Sequence, residues 1–222
     1  MTNELFKRLI TSIVLLTFFY LMYINNFFLL IGLILFTFIV WFEFNILILK
    51  VFNFKKKSNY LLKFLIHSGA FLYLVFFSYI FWTYLINDNK TFFLFLVGIC
   101  IVTDIGGLIF GKFFKGKKLT KISPNKTISG LIGSFIFSLI FMMIFNLYIV
   151  LNFLNYEILI ITIATSAMSQ IGDLMISYIK RKAKVKNTGE LLPGHGGFLD
   201  RFDGILFGVP FGILISYFLI NI

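Results

Sequence analysis

This sequence predicts an all-α, polytopic integral membrane bundle of about seven transmembrane helices, with its amino terminus in the cytoplasm. Three observations carry that reading. The 222 residues are 59% hydrophobic, 20% aromatic and only 13% charged, whereas soluble domains are about 25% charged. Apolar runs of about 20 residues, the length a bilayer requires, recur along the whole chain. Once these runs are threaded through a membrane, all of the 20 basic residues except Lys90 fall on one side, which the positive-inside rule makes the cytoplasm.

The runs lie at roughly 9–24, 27–49, 64–86, 91–111, 128–154, 158–179 and 204–221. The first is short and extends back towards Leu5; it passes into the second through Asn25-Asn26 without a small-residue cleavage site, so no removable signal peptide is expected. Lys7 and Arg8 precede the first run, and Lys50, Lys55, Lys56, Lys57 and Lys63 flank the loop after the second. Topology and attraction to anionic lipid explain that cluster. Lys112, Lys115, Lys117, Lys118, Lys121 and Lys126 fill the loop after the fourth run, and Lys180, Arg181, Lys182, Lys184, Lys186 and Arg201 surround the loop after the sixth. Glycine, proline and carboxylate motifs accompany these two later clusters, which favours phosphate binding. Cys100 is the one cysteine, so neither an internal disulfide nor a cysteine-based metal site is expected.

The nine acids are the more informative census. Glu4, Glu43, Asp88, Glu157 and Glu190 lie in termini, loops or span positions without a surrounding motif. Asp104 lies in the fourth run, eight residues before Lys112, and Asp173 in the sixth, seven before Lys180. At about 1.5 Å per residue, each sits on the order of 10 to 12 Å below its cytoplasmic helix end. A carboxylate at the centre of a lipid-exposed helix costs roughly 2.5 to 3.5 kcal/mol, so both are expected to point inward and can face one another. The alternative is an aspartate that caps a neighbouring helix or pairs with a lysine.

Ser166, Ser169, Gln170, Asp173, Ser177 and Lys180 are spaced by three and four, forming one polar stripe along an otherwise apolar helix. Gly106, Gly107 and Gly111 follow Asp104, and the Gly107-to-Gly111 spacing brings a backbone close to either another helix or a ligand. Between those spans, six lysines interleave with glycines, then Ser123-Pro-Asn125-Lys126-Thr127. These supply the cations, hydroxyls and backbone amides that hold a polyphosphate, although the spacing is not that of a P-loop. Thr127 opens the fifth span, where the positive helix end also favours an anion. His67, isolated in the third span, reads as a packed or interhelically hydrogen-bonded residue. The densest polar stretch follows Ser177-x-x-Lys180-Arg181 and Lys186: Pro193-Gly-His195-Gly196-Gly197-x-x-Asp200-Arg201-x-Asp203. Two aspartates, an arginine and a histidine so close together must face a cavity or the water boundary, and mark the candidate active site.

That last stretch resembles the signature of the phosphatidate cytidylyltransferases, also called CDP-diacylglycerol synthases. Asp104 with its glycines, Gly111-Lys112, Ser123-Pro-Asn-Lys126-Thr127 and Gly172-Asp173-Leu174 precede it in matching order. The likeness covers about residues 100 to 210, and the earlier spans match only in being hydrophobic. Two positions depart from the family pattern: Asn187 stands where an acid usually follows the lysine matched by Lys186, and Ser129 where a glutamate usually follows the Lys-Thr pair.

The resemblance implies transfer of a cytidylyl group from CTP to phosphatidic acid, giving CDP-diacylglycerol and pyrophosphate with Mg2+, which the family pairs with a monovalent cation. It implies that Asp173 and Asp200, with Asp104 or Asp203, hold one or two cations that bridge the triphosphate. Ser123, Lys126, Lys180 and Arg181 would grip phosphates, with Asn125, Thr127, Ser177, Lys186 and Arg201 as further substrate contacts. The Gly196-Gly197 turn would bring backbone amides to the leaving pyrophosphate. His195 would orient a phosphate or build the turn. The expected division is 1–90 as N-terminal spans of low specificity and 91–222 as the catalytic region, with cytoplasmic loops at 112–127 and 180–200. Expected partners are CTP, phosphatidic acid and membrane lipids, with no nucleic acid and a homodimer left open, in a bacterial inner membrane. Transfer to an ether-lipid phosphate or a polyprenol, secondary transport, and a non-catalytic scaffold are the alternatives. No internal repeat supports transport, and a scaffold leaves the buried acids unexplained.

Overall fold

Seven helices account for nearly all of the computed structural model, which describes residues 2–52, 60–87, 89–120, 123, 126–149, 155–191 and 196–220. They are α1 (Thr2–Ile24), α2 (Asn26–Val51), α3 (Tyr60–Ile86), α4 (Lys90–Phe114), α5 (Ile128–Tyr148), α6 (Asn155–Lys182) and α7 (Leu199–Ile220). Six of them, α2 to α7, are long and apolar enough to cross a membrane; α1 contributes the shorter apolar segment Ile13–Ile24. Among the described residues there is no strand, and an isolated bridge joins Lys118 to Thr127. The protein is an all-α membrane bundle.

Helix boundaries broadly follow the apolar runs, although α1 and α3 start earlier, at Thr2 and Tyr60, and two departures are informative. The fifth helix closes at Tyr148 rather than 154, and residues 150–154 lie outside the described residues. The seventh begins at Leu199 rather than 204, so Asp200, Arg201 and Asp203 are helical. Hydropathy cannot register that extension, because acidic residues such as Asp200 in a first turn lower the apolar score while stabilising the helix end.

The chain divides into two compact units. The first contains residues 1–88 and Ile179–Arg201, and the second Asn89–Tyr178 and Phe202–Ile222. In the first unit, Asn25 separates α1 from α2, its side chain accepting the Phe27 N–H at 2.8 Å as an N-cap. Helices α2 and α3 meet where Phe36 stacks on Phe77 at 5.5 Å between ring centroids, and Leu29, Val40, Leu47 and Phe77 are each 1% exposed. Polar bonds cross the same seam. Thr37 and Ser78 are joined at 2.7 Å, Trp41 Nε1 donates to the His67 carbonyl at 3.1 Å, and His67 Nδ1 bonds Asn45. The lone histidine of α3 therefore ties two helices together.

In the second unit the glycines of α4 meet those of α5. A Cβ at Gly106 would lie 2.7 Å from the Gly133 carbonyl, and one at Gly130 would lie 2.9 Å from the Gly107 carbonyl. The Gly107–Gly111 spacing thus serves helix packing, settling the choice between helix and ligand that the sequence left open. A ladder of Gly204, Gly208 and Gly212 on α7 does the same against α6, meeting Ser169 and Thr165. Hydroxyls join the helices: Ser134 donates to the Thr103 carbonyl at 2.8 Å, and Thr103 donates to Ser166 Oγ at 2.9 Å. Thr103, Thr165, Ser166 and Ser169 are fully buried, so much of the polar stripe of α6 is packing surface.

Candidate active site

The loop that follows α4 is built before any ligand arrives. Lys115, at φ 47°, ends α4 in the left-handed conformation. The chain then doubles back: Leu119 N–H donates to the Lys126 carbonyl at 2.8 Å, and Ile128 N–H to the Lys117 carbonyl at 2.9 Å. Within the turn, Lys126 N–H reaches the Ser123 carbonyl at 3.1 Å, and Ser123 N–H reaches Thr120 Oγ1 at 3.2 Å. Thr127 caps α5, its Oγ1 accepting the Gly130 N–H at 3.1 Å. Ser129, at the position where the resembled family carries an acid, bonds Thr127 Oγ1 at 2.9 Å and accepts the Gly116 N–H at 3.4 Å. Lys112, Lys115, Lys117 and Lys118 are exposed around this turn.

This turn delivers Lys126 to Asp173. Lys126 Nζ is ion-paired with Asp173 Oδ2, while Ser177, one turn along α6, donates to Asp173 Oδ1 at 3.2 Å. Asp104 is accessible at the surface and lies within electrostatic reach of both Asp173 and Lys126. The second unit therefore gathers two carboxylates, an ammonium and a hydroxyl from α4, the loop and α6. Asp203, also in this unit, is 7% exposed, and its Oδ1 accepts the Gly204 N–H at 2.9 Å.

The first unit holds a second cluster around Asp200. Lys180 Nζ lies 2.6 Å from Asp200 Oδ1, and Oδ2 accepts the N–H groups of Thr188 at 2.8 Å and Gly197 at 3.3 Å. Gly197, expected to offer its amide to a phosphate, directs it to Asp200. Gly196 takes a φ of 85°, where glycine alone is unstrained, and a Cβ there would lie 3.2 Å from the Asn187 side chain. Arg181, Lys186 and Arg201 are exposed. Asn125 and His195 lie outside the described residues.

One residue in this cluster carries no sequence signal. Glu43 of α2, 1% exposed, accepts from Thr188 Oγ1 at 2.9 Å, Phe198 N–H at 2.9 Å and Leu199 N–H at 2.8 Å. A carboxylate in the middle of an apolar run has no local motif, and its partners lie about 150 positions further along the chain.

The described residues contain no group of three or more histidine, cysteine, aspartate or glutamate side chains that could cage a metal. Magnesium needs less: one or two carboxylates, with water and substrate phosphates completing the octahedron. Asp104 and Asp173 match that donor set, with Lys126 marking the place as one that attracts positive charge.

The cytidylyltransferase family description matches residues 1–219. The chain belongs to that family. Relatives of this cytidylyltransferase family member include the phosphatidate cytidylyltransferase of Staphylococcus saprophyticus, 41% identical over 61% of this chain and 52% of the relative. That of Bacillus subtilis is 44% identical over 50% and 43%, and that of Staphylococcus aureus strain COL 44% identical over 49% and 42%. The family member described here spans about half the length of the curated relatives it matches.

Proposed function

We propose that the protein transfers the cytidylyl group of CTP to phosphatidic acid at the cytoplasmic face of a bacterial cell membrane, releasing CDP-diacylglycerol and pyrophosphate. The observation that carries this reading is the meeting of Lys126 with Asp173 and Asp104 beside a preformed basic turn. It supplies cation-binding carboxylates and phosphate-binding ammonium groups together, in a family of cytidylyltransferases.

Two anions must be brought together for this reaction, so positioning and charge neutralisation supply most of the catalysis. An oxygen of the lipid phosphate attacks the α-phosphorus of CTP in line. A new phosphorus–oxygen bond forms, the bond to the bridging oxygen breaks, and pyrophosphate leaves with that oxygen and its electron pair. A phosphate monoester is already largely ionised at neutral pH, so no strong general base is required. Lys126 and the exposed lysines of the turn draw in and hold the triphosphate, and Ser177 keeps the Asp173 carboxylate oriented. In the first unit, Asp200 holds the Lys180 ammonium in place. Magnesium, held by Asp104 and Asp173, would neutralise charge on the triphosphate as the pyrophosphate leaves. The asymmetry of basic residues, with only Lys90 on the far side, supports the cytoplasmic orientation.

The test uses purified protein with phosphatidic acid and CTP labelled at either the α or the γ phosphorus, with Mg2+ and with a chelator. Label from the α position should enter the lipid only when Mg2+ is present, and Asp173→Asn should abolish that transfer while the protein stays folded in detergent. Label entering the lipid from the γ position would replace cytidylyl transfer with phosphorylation. Undiminished transfer by Asp173→Asn would remove this carboxylate from the mechanism.

A further inference from the structure

The geometry points to Glu43 as a positioning residue that sets the start of α7 and thereby the presentation of Asp200; the inference rests on the cytidylyltransfer reading for its catalytic consequence alone. Helix α7 begins at Leu199 with a phenylalanine at its N-cap position, a side chain with no oxygen to satisfy the free amides of a first turn. Glu43 supplies that cap from a different helix. Its Oε1 takes the Phe198 N–H and its Oε2 the Leu199 N–H. The positive end of α7 and these charge-assisted bonds compensate the burial of a carboxylate that is 1% exposed.

Thr188 links this cap to Asp200. Its hydroxyl donates to Glu43 and its N–H to Asp200, so the two carboxylates grip the same two stretches, 188 and 197–199, from opposite ends. The glycines fit around the carboxylate. A Cβ at Gly189 would lie 2.5 Å from Glu43 Oε1, and one at Gly197 would lie 2.8 Å from Oε2. Without Glu43, the Phe198 and Leu199 amides lose their acceptor, which leaves the first turn of α7 more weakly held, by the bond from Gly197 N–H to Asp200 and that from Arg201 N–H to the Phe198 carbonyl. Asp200 and Lys180 would then lose their fixed geometry.

Glu43→Gln and the milder Thr188→Val, which removes one hydroxyl, test this with two readouts in detergent or nanodiscs. Amide hydrogen exchange in a peptide covering residues 187–201 should accelerate about 10-fold or more in Glu43→Gln, with the middle of α7 unchanged. CDP-lipid formation should fall about 10- to 100-fold in Glu43→Gln and less in Thr188→Val. The double variant should lose about as much as Glu43→Gln alone, because both act on one clamp, and Glu43→Asp should recover part of the rate. Should Glu43→Gln fail to fold, Thr188→Val decides alone by the same two measurements. Unchanged exchange in 187–201, or faster exchange with undiminished turnover, overturns the proposal. A wild-type protein that makes no CDP-lipid yet shows the exchange effect would defeat the functional reading and leave the clamp standing.

Discussion

Reversing the Lys126–Asp173 pair separates folding from chemistry. Both side chains are about a quarter exposed, at 27% and 25%, so the pair is partly screened and its net contribution to stability is about 1 kcal/mol or less. Asp173→Asn also removes the repulsion from Asp104, which reduces that cost further. For a chain of this size, about 1 kcal/mol corresponds to a fall of about 2 to 4 °C in Tm. Losing preorganised charge at a site of phosphoryl transfer costs about 100- to 1,000-fold in kcat. A loss of stability this small leaves the folded population almost unchanged, so it cannot account for such a fall in rate. The double variant Lys126→Asp/Asp173→Lys should recover Tm while staying inactive, because the carboxylate is no longer on α6 beside Asp104. Thermal unfolding in detergent and lipid-label assays on one preparation read both quantities. Activity within about 10-fold of wild type in the reversed pair would refute the argument and reduce the pair to a structural tie.

Two further outcomes follow from the packing. Gly106→Val places side-chain atoms against the Gly133 carbonyl, 2.7 Å from the ideal Cβ position; this overpacking should cost about 1 to 3 kcal/mol, read as a lower Tm in detergent. Thr127→Ala removes the cap bond to Gly130 and should cost about 1 kcal/mol. Because it also loosens the turn that carries Lys126, it should raise the KM for CTP, measured in the lipid-label assay.

The helices were legible because each is a bilayer's length of apolar residues, and neither length nor hydropathy depends on partners. The lysines and arginines give an expected side of the membrane by the same kind of local count. Pairings were not legible. Spacing placed Asp173 and Ser177 on one helix face, and they are bonded, but nothing in the order of residues joins Lys126 to Asp173 rather than to another acid. The glycines after Asp104 signalled a close approach without naming what approaches, and α5 proved to be the neighbour. Glu43 was invisible on two counts. Its own surroundings in sequence are apolar, and the amides that it caps belong to every residue type alike, so no side-chain pattern records them. The early start of α7 escaped notice with it, since a cap supplied from another helix leaves no mark beside the turn it stabilises.

The main-chain bonds of the turn between α4 and α5 have a practical corollary. Lys126 is placed by amide and carbonyl groups of Lys117, Leu119 and Ser123, which any residue but proline can furnish at the amide positions. Side chains at 117 and 118 are therefore free to drift in evolution, or to be randomised in a library, without dislodging the ammonium that meets Asp173, whereas the left-handed backbone at Lys115 restricts that position. Variation there would tune how strongly the surface attracts nucleotide and leave the register of the turn intact.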